Sequence, residues 1–297
     1  MLSILIPIFN WNCIPLVTCL YNQAKKMKIN FEILCIDDAS SSFKEENRSI
    51  SDIPFCRYYE LTENVGWRKI RNRLGYEAKY DFLLFLDCDA MPTSENYLAI
   101  YLDAAKSNTV LSGGCNYPKE KPKFQYLLRY NFGKTSEEID AFRRNKTPYH
   151  RFNTFNFLIP KVIFEKVQFD ETITRYGHDD TLFGVDLQRL GIKVKHIDAP
   201  ICHTDIDTNE AFLAKSESAI DNLFILQSKM SNAIFLSHFQ LAKTCESVHV
   251  ISPFILFIFK IIKKKLRKIL IYNIPSPHLL SVYKIGYYFE VKASSKK

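Results

Sequence analysis

Two apolar runs in the sequence end in paired acids, Ile36-Asp37-Asp38-Ala39-Ser40 and Phe85-Leu86-Asp87-Cys88-Asp89. In an extended chain residues i and i+2 point to the same side. Asp87 and Asp89 are therefore expected to face one hard cation together, with Cys88 turned back into the fold. Mg²⁺ and Mn²⁺ take few protein carboxylates and complete their shells with substrate phosphates. Asp-x-Asp alone is weakly diagnostic, because strand-to-turn junctions favour Asp. Here it follows five apolar residues, and a further acidic pair, Asp179-Asp180, lies downstream. The plain alternative for that pair is a helix start, where acids offset the macrodipole. Trp67 and Arg68 could stack on or pair with a nucleotide, although Trp67 reads equally well as core. No G-x-x-x-x-G-K-[ST] loop, G-x-G-x-x-G fingerprint or G-x-S-x-G elbow is present. Phosphates, if bound, must then be held by a metal and by Arg or Lys.

These residues need a scaffold that ends strands side by side. The chain has 297 residues, 47% of them hydrophobic and 24% charged, enough to bury a large core and too apolar for disorder. Apolar strand-like runs at Leu2 to Pro7, Glu32 to Asp37, Arg57 to Leu61, Phe82 to Leu86 and Val110 to Gly113 alternate with helical spacing at 12–26, 66–79 and 94–106. That alternation predicts an α/β fold with a mostly parallel sheet flanked by helices. Strand character returns at Phe155 to Ile159 and at Lys193 to Ile197, on either side of a helix from Asp179 to Leu190. The basic, aromatic stretch 119–151 reads as loops and short helices, solvated or facing an acceptor. Asn153 and Asn156 lie on a strand that could floor such a site. The eight cysteines show no C-x-x-C pair or zinc-like spacing, so reduced thiols and a cytoplasmic setting are expected. The N-terminus lacks the features of a signal peptide and reads as the first strand.

In order along the chain, Leu5-Ile6-Pro7-Ile8-Phe9-Asn10, Ile36-Asp37-Asp38-Ala39-Ser40, Asn64-Val65-Gly66 with Ile70-Arg71-Asn72, Leu86-Asp87-Cys88-Asp89 and Tyr176-Gly177-His178-Asp179-Asp180 resemble the motifs of family 2 glycosyltransferases with the GT-A fold, of the bacterial surface-polysaccharide type. The resemblance covers roughly the first 205 residues. It implies a GT-A-like (Rossmann-like) domain that moves a sugar, with inversion, from a nucleotide diphosphosugar, UDP before GDP or dTDP, to an acceptor hydroxyl. It places Asp38, with Pro7, Phe9 and Asp37, around the nucleoside, and Arg71 and Asp87 near the diphosphate. Asp87 and Asp89 would hold Mn²⁺ or Mg²⁺, and His203 is placed to complete that shell. The family's base is the second acid of a Glu-Asp pair. Here Asp179 stands where Glu is usual, which leaves Asp180 as the base and Asp179 as a second candidate or an acceptor-positioning group.

The tail has a different chemistry. Ten of the 40 Lys and Arg residues lie between Lys260 and Lys297 against one acid, Glu290, so the tail carries +9 of a whole-chain net charge of +8 and the body is close to neutral. A nucleic-acid-binding body is thereby excluded, since its basic footprint would spread over the folded surface. Phe254 to Ile262 is apolar apart from Lys260, and Lys263-Lys264-Lys265-Leu266-Arg267-Lys268 follows. That is too short to span a bilayer, but it fits a helix lying on an anionic membrane surface. The plain alternative is a helix packed on the domain with its basic part solvated. The expected organisation is a catalytic domain over 1–225 and a helical, basic extension over 226–297, peripheral on the inner membrane face. Its partners would be the nucleotide-sugar donor and a glycan or lipid-linked acceptor. Two other classes share the acids: a haloacid-dehalogenase-like phosphatase, whose motif would want Thr or Val where Met91 stands, and a non-enzymatic membrane-bound scaffold.

Overall fold

The computed structural model describes residues 1–173 and 175–295; Lys296 and Lys297 of the basic tail lie outside the described residues. From the N-terminus the elements are β1 (Leu2–Ile8), α1 (Ile14–Met27), β2 (Phe31–Asp37), α2 (Lys44–Arg48), β3 (Cys56–Glu60), α3 (Trp67–Glu77), β4 (Phe82–Leu86), β5 (Ala90–Pro92), α4 (Tyr97–Ala104), β6 (Thr109–Ser112) and β7 (Cys115–Asn116). There follow α5 (Leu127–Ser136), α6 (Ala141–Arg144), β8 (Asn156–Pro160), α7 (Lys161–Phe164), α8 (Asp179–Arg189), β9 (Lys193–His196) and β10 (Ile201–His203). The chain ends in α9 (Asn209–Gln227), α10 (Asn232–His238), α11 (Gln240–Ser247), α12 (Ser252–Tyr272) and α13 (Pro277–Ser294).

These elements form two compact units. The first comprises Met1–Pro118, Glu138–Ile173 and Asp179–Asp205; the second comprises Lys119–Glu137, Thr174–His178 and Ile206–Lys297. The boundary expected at residue 225 lies inside α9, and the whole of that helix belongs to the second unit. Its start is fixed by Thr208, whose side chain accepts from Ala211 N; no break signal occurs at 225 for the chain to use.

The first unit is built on a seven-stranded sheet of order β3-β2-β1-β4-β8-β6-β9. β1, β2, β3 and β4 run parallel, and β6 pairs parallel with β9. β8 is antiparallel to both its neighbours, β4 and β6, so the sheet is mixed rather than uniformly parallel. Continuous apolar runs such as Leu34-Cys35-Ile36 are buried on both faces, as a helix-covered sheet requires. Leu16, Val17, Leu20 and Ala24 give α1 one buried stripe. Phe85 and Phe157, directly opposite across β4 and β8, stack with ring centroids 4.9 Å apart. α3 lies close to that cluster, because a Cβ on Gly75 would sit 2.2 Å from the Phe164 ring. A second sheet, β5-β10-β7, went unforeseen in the sequence, since two or three residues give no readable period.

One polar side chain ties this region together. Asn156 is fully buried; its Nδ2 donates to Gly114 O (2.8 Å) and Ala199 O (2.9 Å), and its Oδ1 accepts from Tyr97 (2.6 Å) and Tyr101 (2.7 Å) hydroxyls. It is therefore a structural hub rather than the floor of an acceptor site. Each buried group left without a partner costs about 1–3 kcal/mol. Asn156→Leu is expected to destabilise the chain by at least about 3 kcal/mol, read as a lowered urea midpoint at unchanged slope.

Candidate active site

The chain passes from β1 to β2 on one side of the sheet and from β3 back to β4 on the other. At such a switch point the loops after two adjacent strands diverge and leave a crevice at the strands' carboxyl ends. A pocket of about 210 Å³ lies at the ends of β1 and β4, and its lining includes Pro7, Phe9, Asp38, Arg71, Asp87 and Asp89. In the sequence these residues are spread from Pro7 to Asp89. Trp67 and Ile70 of α3 also face it, so Trp67 belongs to the pocket and not to the core.

Asp38 shapes the pocket through the backbone. Its carboxylate accepts from Val65 N (2.7 Å) and Gly66 N (3.0 Å), and its carbonyl accepts from Asn64 Nδ2 (3.1 Å). Gly66 has φ +85°, a conformation that side chains resist, and it caps the start of α3. Val65 and Gly66 precede the first residue of α3, so the Asp38 carboxylate fixes the loop that leads into the helix. Asp37, by contrast, is fully buried, accepting from Ser40 N (2.7 Å) and the Tyr58 hydroxyl (3.2 Å). It anchors the turn after β2 and does not line the pocket, which corrects its expected place beside the nucleoside.

α3 supplies two cations one turn apart. Arg71 ion-pairs with Asp87, and its buried Nε has no hydrogen-bond partner. Arg68 does not reach the pocket. Its Nε holds Asp179 Oδ1 at 2.5 Å, its Nη1 donates to Ile173 O, and its guanidinium lies 4.1 Å from the centre of the Trp67 ring. Asp87, Cys88 and Asp89 sit in the turn between β4 and β5 rather than in an extended strand. The alternation argument therefore fails for Cys88, which lines the pocket beside both acids. Its thiol is pushed well up by burial, so it is not a nucleophile there.

His203 stands opposite Ala90 in the antiparallel β5–β10 pair, and directly opposed residues share a face. Its ring packs against Phe155 (5.0 Å) and Tyr117 (5.6 Å). Among the described residues no three His, Cys, Asp or Glu side chains converge as a metal cage; the next residue, Thr204, donates its N–H to Asp89 O at 2.9 Å. Two hard carboxylates in one pocket do fit a divalent ion that takes its remaining ligands from phosphate and water.

The acidic pair at the start of α8 is divided between two partners. Asp180 Oδ1 accepts from Thr154 N (2.7 Å) and Thr154 Oγ1 (2.6 Å). Burial pushes its carboxyl up, Thr154 pulls it down, and Arg71 and Asp87 are near enough to act on it in opposite directions. Thr154 was missed in the sequence, where a lone Thr before a strand carries no signal. Burial drives the Asp179 carboxyl up to about 7, with the Arg68 guanidinium opposing. Raised above its ordinary 3.8, Asp179 holds a proton in the folded chain that the unfolded chain has lost. Its contribution to stability is present below the ordinary carboxylate range and disappears as pH climbs toward 7. Asp179→Asn is expected to flatten the fall in melting temperature between about pH 4 and 7. An unchanged slope would show that Arg68 keeps the carboxylate ionised.

The profile of glycosyl transferase family 2 matches residues 3–171, more than half of the chain. Over 243 residues, 68% of its length, the chain is 26% identical to chondroitin synthase of Escherichia coli; over 242 residues it is 27% identical to chondroitin synthase of Pasteurella multocida (strain Pm70). It spans 34% and 24% of the lengths of those relatives. Among solved structures it is similar to mannosyltransferase PcManGT from Pyrobaculum calidifontis in complex with GDP-Man and Mn²⁺, with a TM-score of 0.61 at 12% identity, covering 99% of this chain and 86% of that one. That likeness is one of fold, a GT-A-like α/β sheet with flanking helices. The phosphatase and scaffold readings of the paired acids fall away, because four of the five ordered motifs lie on the matched segment and meet at one pocket. The chain belongs to glycosyltransferase family 2.

Proposed function

We propose that the chain transfers a sugar from a nucleoside diphosphosugar to a hydroxyl of a glycan or lipid-linked acceptor, with inversion at the anomeric carbon. The observation that carries this is the convergence of Asp38, Arg71, Asp87 and Asp89 on one pocket with Asp180 electrostatically in reach of it. Phe9, half exposed on the rim, and Pro7 offer apolar surface to a nucleoside, and Arg71 offers its unpartnered Nε to phosphate oxygen. Asp87 and Asp89 would hold Mn²⁺ or Mg²⁺; PcManGT was solved with GDP-Man and Mn²⁺ in a similar fold. When bound, such an ion neutralises charge on the departing diphosphate.

Single displacement with inversion needs a base on the acceptor side, within hydrogen-bond reach of the attacking hydroxyl. Asp180 suits that role. Thr154 fixes its Oδ1 from two sides and leaves Oδ2 to accept a proton, and a carboxyl raised by burial is a stronger base than one in water. Asp179, committed to Arg68, positions the start of α8 instead.

Thermal-shift measurements with UDP, GDP, dTDP and CDP, each with Mn²⁺, Mg²⁺ or EDTA, test the donor site, UDP first. One nucleotide at a hundredfold excess over its Kd should add about 2.7 kcal/mol in the presence of metal. Asp89→Ala is expected to lose that metal dependence. Asp180→Asn should keep the nucleotide shift and slow transfer by roughly 10² to 10⁴. Transfer by Asp180→Asn near the parent rate, or a product with retained anomeric configuration, would overturn the base and the inversion.

A further inference from the structure

α12 wears its apolar face on the outside. On one side Phe259, Leu266 and Leu270 are buried with Leu213, Leu280 and Tyr283 of α9 and α13, and Gly286 lets the Phe259 ring approach α13 closely. On the other side Phe254 (65% exposed), Phe257 (64%) and Ile261 (67%) face solvent, and Val250 and Ile251 extend the patch before the helix. Monomeric soluble proteins rarely leave a contiguous apolar stripe of this kind uncovered. With 3.6 residues per turn, Lys264, Lys265, Lys268 and Tyr272 continue the same exposed face one to three turns further on. The stripe is thus apolar in its first half and basic in its second.

The cations of α12 are sorted as well. Lys263 and Arg267 turn inward, to Glu290 at 2.6 Å and Glu217 at 2.7 Å. Lys260, Lys264, Lys265 and Lys268 face outward, and α12 contains no acid at all. A covering surface must therefore be apolar along one half and anionic along the other. A second copy of the same face brings lysines of its own and lacks the anions. Among the described residues no single helix is long and apolar enough to cross a membrane, and the α11–α12 pair that passes by length and composition is bent by 70°.

We infer that α12 docks obliquely on an anionic bilayer, with its first half among the acyl chains, Lys264, Lys265 and Lys268 at the headgroups, and Tyr272 at the interface. This stands independently of the transferase reading. The test is flotation of the full chain with phosphatidylcholine vesicles, with and without phosphatidylglycerol, at low and high salt. Binding should favour the anionic vesicles by about tenfold and weaken as salt screens the lysines. Phe254→Ser/Phe257→Ser/Ile261→Ser, on exposed positions and checked for an unchanged melting temperature, should lose at least about tenfold of that binding. Lys264→Glu/Lys265→Glu/Lys268→Glu should lose the preference for anionic lipid. A tryptophan at Phe257 should shift to the blue and be quenched by brominated acyl chains, more than one at Tyr272. Equal binding by the parent and the triple serine variant, or no binding to either vesicle, would overturn the inference. So would a parent chain that dimerises while the serine variant stays monomeric, since the stripe would then be covered by a second copy.

Discussion

The first unit depends on pairing two buried guanidinium groups with carboxyls at the pocket. A carboxylate removed from water costs several kcal/mol unless its partner is close and its other lone pairs are used, and the strand ends here gather several. α3 meets that demand from a single turn, with Arg71 on Asp87 and Arg68 on Asp179. The helix can do so only if its own position is fixed. Asp38 holds its N-terminus through two backbone N–H groups, and Gly75 lets its other end close on Phe164. Moving α3 would separate both pairs at once and leave the buried guanidinium groups of Arg68 and Arg71 without their carboxyl partners. The pocket is therefore a consequence of how one helix is held.

Asp179 and Asp180 show how adjacent residues of one type acquire different chemistry. Both sit in the first turn of α8, where the helix N-terminus favours a negative charge, and burial raises both. The difference lies in what each carboxyl touches. Asp179 is bound to a guanidinium that also holds the Ile173 carbonyl, so its role is to fix the approach to α8. Asp180 receives two neutral donors on one oxygen, which orient it without neutralising it. Pairs of titratable groups placed in unlike surroundings are how a single fold separates structural from reactive acids.

Much of this was legible in the sequence, for physical reasons that also mark where legibility ends. Strands buried on both faces must be apolar runs, so Leu2–Ile8, Phe31–Asp37 and Phe82–Leu86 announced themselves within a residue or two. The direction of β8 could not be read, because an apolar run is the same in either orientation. β5, β7 and β10 are too short for any period, so the small sheet that sets His203 opposite Ala90 could not be read. Asp37 and Asp38 look alike as a pair; only tertiary contacts show that one anchors the turn after β2 and the other holds the loop leading into α3. Asn156 read as a floor residue until its four partners, from three distant segments, were in view. In each case the residue type was informative and the missing quantity was a long-range partner.

The two units apply one rule with opposite signs. In the first, Arg71 shares one pocket with Asp38, Asp87 and Asp89, a carboxylate-rich lining of the kind that fits a divalent cation. In the second, Glu217 and Glu290 account for Arg267 and Lys263, and the remaining lysines of α12 are left on the surface beside an uncovered apolar stripe. Where internal pairing is complete, as around Asn156, the side chains hold the fold and nothing more. Along α12 it is incomplete, and the exposed lysines and apolar side chains define what a covering surface must supply, anionic along one half and apolar along the other.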